Sequence, residues 1–147
     1  MKYAVIVYTD GACSRNGSKN AIGGYGAIIK FGQHEKVVRG HAVGTTNNRM
    51  ELAAVIAAVQ ALKKPCDIQV VTDSQYVING AKSMRSWLQK KDLPNRDLWI
   101  QLIEAGNKGG HKMKFMHVQG HTGDVYNERC DKIAREQIRK VMNSDEL

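Results

Sequence analysis

The chain is short of acidic residues, cysteine pairs and long apolar runs, and each shortage excludes a class of protein. Three cysteines, Cys13, Cys66 and Cys130, are odd in number and form no C-x-x-C pair. That argues against a disulfide framework or a thiolate zinc site and fits a reducing, cytoplasmic setting. No apolar stretch approaches the length of a membrane span. The opening run, Tyr3 to Tyr8, is too short for a secretory signal and reads as a strand. The tail Ser144-Asp145-Glu146-Leu147 looks like an ER-retention sequence, but without such a signal it is coincidental. There are no internal repeats, low-complexity stretches or interdomain linkers, so the 147 residues are expected to form a single domain, 1–147.

Acidic residues number 14 against 22 Lys and Arg, giving a formal charge of +8. Such an excess attracts polyanions, with nucleic acid the natural partner, and it also serves plain solubility. The charge is uneven. Residues 1–50 and 81–118 each carry +5, whereas 51–80 and 119–147 each carry −1. Carboxylates therefore gather in two segments of a basic chain.

The apolar pattern predicts a strand over 3–10 ending at Asp10-Gly11, then strands over 25–31 and 36–43 joined by short connections, an antiparallel meander. Leu52, Val55, Ile56, Val59 and Leu62 follow helical spacing, and interleaved alanines suit a close-packed helix that stops before Pro65. A β-branched strand over 68–72 ends at Asp73, and a helix starts at Ser74. The basic stretch after Gly80 reads as a separate short helix. A helix over 97–105, a strand over 113–118 and a terminal helix over 127–142 complete the order. Strands, then helix, strand, helices, strand and helix, make an α/β chain with a mixed sheet.

Asp10 and Asp73 fall at predicted strand ends, where open α/β sheets bind ligands. Glu51 falls in the first turn of the long helix and Asp131 near the start of the last. Gathered together, the four would repel one another unless cations lay between them. Hard divalent ions take oxygen ligands, and a pair of them stabilises both sides of an in-line phosphoryl displacement. Each carboxylate also has an ordinary explanation. Asp10 fits a turn before Gly11, Asn48-x-x-Glu51 fits a capping box, Asp73 fits an N-cap, and Asp131 fits a solvated helix face.

The surroundings of these carboxylates resemble the type 1 ribonuclease H family. The matching segments are Tyr8-Thr9-Asp10-Gly11-Ala12-Cys13, Gly23-Gly24-Tyr25-Gly26-Ala27, Thr45-Thr46-Asn47-Asn48-Arg49-Met50-Glu51-Leu52, Thr72-Asp73-Ser74-Gln75-Tyr76-Val77, and Gly120-His121-Thr122-Gly123 leading to Asn127-Glu128-Arg129-Cys130-Asp131. Five segments in order at family-like spacing are specific, and the resemblance spans about residues 3–139. It implies a ribonuclease H-like fold, a five-stranded mixed sheet flanked by helices. It implies a monomeric endoribonuclease that cuts the RNA strand of RNA–DNA hybrids and leaves 5′-phosphate and 3′-hydroxyl ends. Asp10, Glu51, Asp73 and Asp131 would hold two Mg²⁺ (or Mn²⁺) ions, and His121 would assist proton transfer or product departure. Asn16, Asn47, Asn48 and Gln75 would address 2′-hydroxyls and sugars, since an amide both donates and accepts.

Two departures stand out. Gly44 occupies a place where some members carry a phosphate-gripping arginine, leaving Thr46 and Asn95 as the matching pocket residues. Met84 occupies a place where many carry a tryptophan lining the DNA groove, with Trp87 one helical turn later. The segment between Trp87 and Trp99 is also short, so catalysis should be kept and the grip on the DNA strand altered. A DNA-cutting nuclease of the same broad fold has no need of Asn47-Asn48 before Glu51. A non-catalytic hybrid binder has no use for four carboxylates that repel phosphate.

Overall fold

A computed structural model describes residues 2–120 and 124–145. The elements run β1 (Tyr3–Ser14), β2 (Ile22–Phe31), β3 (His34–Val43), α1 (Asn47–Ala61), β4 (Cys66–Thr72), α2 (Gln75–Trp87), α3 (Arg96–Gly109), β5 (Lys112–His117) and α4 (Val125–Asp145). The strands form one sheet in the order β3-β2-β1-β4-β5. β1–β2 and β2–β3 are antiparallel, and β1–β4 and β4–β5 are parallel. The expected meander joined to parallel strands is the observed sheet.

Strand alternation assigns the two faces. A Cβ on Gly23 would run into Thr45 and Met50 beside α1, whereas one on Gly24 would run into Ala134 and Gln137 of α4. Neighbouring residues point to opposite faces, so α1 and α4 lie on opposite sides of the sheet. Val5, Val7, Ala27, Ile29, Ile68 and Val70 fill the α1 side, together with Val77 of α2 and Trp99 and Leu102 of α3. Helix α1 is buried almost all round, at Met50, Leu52, Ala54, Val55, Ile56, Ala58 and Val59. Its alanines are what let a helix pass between a sheet and α3 at close range.

Two expectations change. Strand β1 does not end at Asp10-Gly11 but continues to Ser14, with Gly11 paired to Tyr25. Gly11 is there for closeness and not for a turn, because a Cβ would lie 2.5 Å from the Glu51 nitrogen and the Met50 carbonyl carbon. Nor does Gly80 divide two helices. Helix α2 runs through it, and Gly80 is the point where the Trp99 ring of α3 presses against the α2 backbone. Among the described residues, no helix is long and apolar enough to cross a membrane.

Gly80→Ala separates these effects. Helix propensity alone favours alanine by up to about 1 kcal/mol, but the added methyl would overlap the buried Trp99 ring. Overpacking of this kind costs about 1–3 kcal/mol, so the variant should unfold at lower urea concentration. A midpoint at or above that of the parent would show that α2 and α3 can move apart here.

Candidate active site

The site arises where one strand outruns its neighbour. The β1–β4 ladder ends at Thr9 opposite Thr72, while β1 stays paired with β2 as far as Ser14. Beyond Thr9 the β4 side of β1 has no strand beside it, and Asp10 and Asp73 emerge there. Glu51, in the second turn of α1, reaches into the same gap and accepts a hydrogen bond from the Gly11 backbone N–H. Gly11 N–H lies 2.9 Å from Asp10 Oδ1 as well. One oxygen from each of Asp10, Glu51 and Asp73 lies within 4.8 Å of the other two. Asp10 and Glu51 are only 6% and 7% exposed, although Asp73 is half-buried.

The ordinary jobs these carboxylates might have held are done by their neighbours. Thr46 caps α1, its hydroxyl accepting from the Arg49 N–H at 3.1 Å. Asn16 Oδ1 accepts from the Asn47 N–H at 2.9 Å. Ser74 caps α2, accepting from the Val77 N–H at 3.2 Å. Glu51, one turn too deep to cap, and Asp73, one residue too early, are left free for something else.

The fourth carboxylate stands slightly apart. Asp131, on α4, lines the same open cleft of about 520 Å³, alongside Asn47, Asn48, Gln75 and Tyr76. It is paired with Arg135 one turn on, at 3.0 Å. Among the described residues, no Lys or Arg is paired with Asp10, Glu51 or Asp73.

Burial without a counter-charge shifts the titration of the inner pair. Burial pushes the Asp10 carboxyl up, the negative charge of Glu51 pushes it further, and Asp73 and Asp131 add to this. Burial raises Glu51 too, but hydrogen bonds from Asp10, the Gly11 N–H and the Ser74 hydroxyl hold it back. The two carboxyls therefore titrate as a pair that holds a proton well above the ordinary carboxyl range. Repulsion of this size at one sheet edge is what a bound cation would relieve. An all-oxygen donor set suits a hard divalent ion.

The expected amide residues divide in two. Asn47, Asn48 and Gln75 line the cleft and are exposed, with Gln75 Nε2 donating to Asn79 Oδ1 at 2.8 Å. Asn16 and Thr46 hold the start of α1, as above. Asn95 has left-handed backbone (φ 62°), and its side chain bridges Arg49 and the Tyr76 hydroxyl at 3.3 and 3.0 Å. Trp87 is half-buried, its ring 6.3 Å from that of Tyr76 and 6.0 Å from that of Trp99. Thr46, Asn95 and Trp87 do not line the acidic cleft. His121 lies outside the described residues, but Gly120 before it abuts Asp73, where a Cβ would sit 2.9 Å from Oδ2. Gly44 has φ 67°, so an arginine there would carry a backbone cost of about 1–2 kcal/mol. Placing one is thus not the simple gain of a phosphate contact. Sequence reasoning missed the Gly11 N–H and the Ser74 hydroxyl as partners of Glu51. Their only signal was adjacency to the two aspartates.

The ribonuclease H family profile matches residues 2–139. A ribonuclease H of Clostridium botulinum (strain Hall) is 44% identical over 143 residues, covering 91% of this chain and 95% of that protein. One from Prosthecochloris aestuarii is 42% identical over 153 aligned positions, covering 95% and 98%. Among solved structures, LC9-RNase H1, described as a type 1 RNase H with the type 2 active-site motif, matches with a TM-score of 0.82. It is 26% identical, with coverage of 95% of this chain and 74% of that one.

Raised carboxyls make stability depend on pH in a definite direction. Ordinary carboxyls titrate near pH 4. Between there and their raised folded values, Asp10 and Glu51 keep protons that the unfolded chain has lost. Their contribution to stability is full below about pH 4 and is lost as pH rises. In chelator, Asp10→Asn should therefore be the more stable protein at pH 8, by an amount on the order of 1 kcal/mol or more. At pH 4 the gain should vanish. Equal stability of the two proteins at both pH values in denaturant titrations would contradict the repulsion.

Proposed function

This chain belongs to the ribonuclease H family, and on that premise we propose that it hydrolyses the RNA strand of RNA–DNA hybrids with two divalent metal ions, leaving 5′-phosphate and 3′-hydroxyl ends. The observation that carries this reading is the shared cleft. Three carboxylates converge within 4.8 Å beside Asn47, Asn48 and Gln75, so groups suited to reading a 2′-hydroxyl stand next to groups suited to holding metal.

Asp10, Glu51 and Asp73 fit hard cations, since all three offer oxygen and none is neutralised by a described Lys or Arg. Asp131 completes the set from the α4 side once it gives up some of its contact with Arg135. Mg²⁺ is the ion assigned here, with Mn²⁺ as a substitute. Bound there, the two ions would supply water activation and neutralisation of charge on the departing 3′-oxygen.

The protein's own groups do the rest. Gly11 N–H aims the Glu51 carboxylate, and Ser74 steadies it. Asn47 and Asn48 stand in the first turn of α1 and Glu51 in its second, which couples recognition to chemistry through one rigid element. His121 follows Gly120, which touches Asp73. In this reading it moves a proton on or off the reacting phosphate. The +8 charge raises the local concentration of nucleic acid. We further read the chain as a one-domain monomer acting in the cytoplasm.

Strand-labelled hybrid, duplex DNA and duplex RNA test the proposal together. Cleavage in Mg²⁺ should be confined to the RNA of the hybrid. Cutting of duplex DNA would favour a DNA nuclease of the same fold, and tight hybrid binding without cutting would favour a binding module. Asp10→Asn and Asp73→Asn should each abolish cleavage while leaving the far-ultraviolet spectrum unchanged. His121→Ala should slow turnover by roughly 10²–10⁴-fold, the range open to a proton-transfer group. If it were as inactive as Asp10→Asn, His121 would have to be reassigned as indispensable.

A further inference from the structure

Helix α4 runs alongside β1 in the same direction. Cys130 Sγ lies 3.3 Å from the Tyr8 carbonyl oxygen, Gly26 (opposite Asp10) packs under Cys130 and Ile133, and Gly24 (opposite Ala12) packs under Ala134 and Gln137. Apart from the weak thiol hydrogen bond of Cys130, these are contacts of helix against bare glycine backbone. Glycine backbone under a helix gives close approach but little to stop the helix sliding along the strand.

The first turn of α4 does have such a stop. Tyr126 stacks on Tyr8 with ring centroids 4.4 Å apart and planes 12° from parallel. Its hydroxyl accepts from Lys30 Nζ of β2 at 2.9 Å and donates to Glu35 Oε1 of β3 at 3.2 Å. Glu35 in turn holds Arg129, one turn further along α4, at 3.0 Å. The Lys30 ammonium and the Arg129 guanidinium lie 4.9 and 5.5 Å from the Tyr126 ring centre. One half-buried side chain is thus fixed to three adjacent strands. An exposed ion pair such as Arg129–Glu35 is worth little alone, but here it closes a chain through a stacked ring.

The spacing gives this stop a purpose. Tyr8 precedes Asp10 by two residues, about 6.8 Å along a strand. Tyr126 precedes Asp131 by five, about 7.5 Å along a helix. Starting from the stacked rings, the two chains therefore arrive at Asp10 and Asp131 less than about 1 Å out of step. We propose that the Tyr8–Tyr126 stack, locked by Lys30, Glu35 and Arg129, sets the register of α4 on β1 and thereby holds Asp131 beside Asp10 for metal binding. Tyr126 is a positioning residue, acting through Asp131, and this inference rests on the metal-dependent reading above.

Tyr126→Ala removes the stop and Tyr126→Phe keeps the ring without its hydroxyl. In Tyr126→Ala, calorimetric titration with Mn²⁺ should show affinity lowered by about 10-fold or more, the usual loss when a group supporting a metal ligand is removed. Turnover on hybrid should fall about 10–100-fold, as for a small misplacement of a reacting group, with KM for hybrid unchanged. Tyr126→Phe should recover most of both. Tyr126→Leu, which fills the space without stacking, carries the same expectation if the alanine variant does not fold. A folded Tyr126→Ala or Tyr126→Leu with parental Mn²⁺ affinity and turnover overturns the proposal, as does one that loses thermal stability alone. The Mn²⁺ titration needs no substrate, so a parent that failed to cut hybrid would sink the proposed function and leave this test intact.

Discussion

Asp10, Glu51 and Asp73 repel one another, yet the fold holds them at a single point, and much of the architecture is the means of doing so. The point exists because β4 stops at Thr72 while β1 continues to Ser14. Into that step in the sheet edge come Asp10 from β1, Asp73 from the residue just after β4, and Glu51 from a helix crossing the face. Two of the three are buried, so water screens them poorly, and the pair answers part of the repulsion by keeping a proton above the ordinary carboxyl range. Only a few polar groups, the Gly11 N–H and the Ser74 hydroxyl above all, answer the negative charge from within the chain.

Bringing helices this near demands that the sheet present no side chains where they pass. Gly11 and Gly23 admit α1 on one face, and Gly24 and Gly26 admit α4 on the other. The same economy governs the helix starts. Thr46, Asn16 and Ser74 satisfy the backbone N–H groups that would otherwise recruit a nearby carboxylate. Capping by neutral residues keeps Glu51 and Asp73 available as anions. The network of Arg49, Asn95, Tyr76 and Trp99 then ties α1, α2 and α3 into one frame behind the cleft.

Most elements were legible because their periods are strong, and the carboxylates were legible because their flanking segments are distinctive. The failures have a common cause. Asp10-Gly11 looked like a turn, and Gly80 looked like a helix break, because glycine reads locally as flexibility. In both places it is a tertiary feature, leaving room for Glu51 and Met50 in one case and for the Trp99 ring in the other. Asn48-x-x-Glu51 fits a capping box by spacing, yet the cap is Thr46. Spacing cannot tell where a helix begins when three candidates, Thr46, Asn47 and Asn48, stand in a row. The Tyr126 clamp was invisible for a different reason. Its partners on β1, β2 and β3 lie 91 to 118 residues away in sequence, and no local pattern joins them.

The central claim is that divalent cations relieve the repulsion the fold imposes. Its most direct test is the unfolding free energy of the unaltered protein at pH 8, followed as Mg²⁺ or Mn²⁺ is added to chelator-treated material at constant ionic strength. A ligand that binds only the native state must stabilise it in proportion to the logarithm of its concentration above Kd. The account predicts a saturable rise in stability with either ion, absent with matched Na⁺ and much reduced at pH 4, where the carboxyls keep their protons. Stability that ignores divalent ions at pH 8, or responds equally to Na⁺, would contradict it.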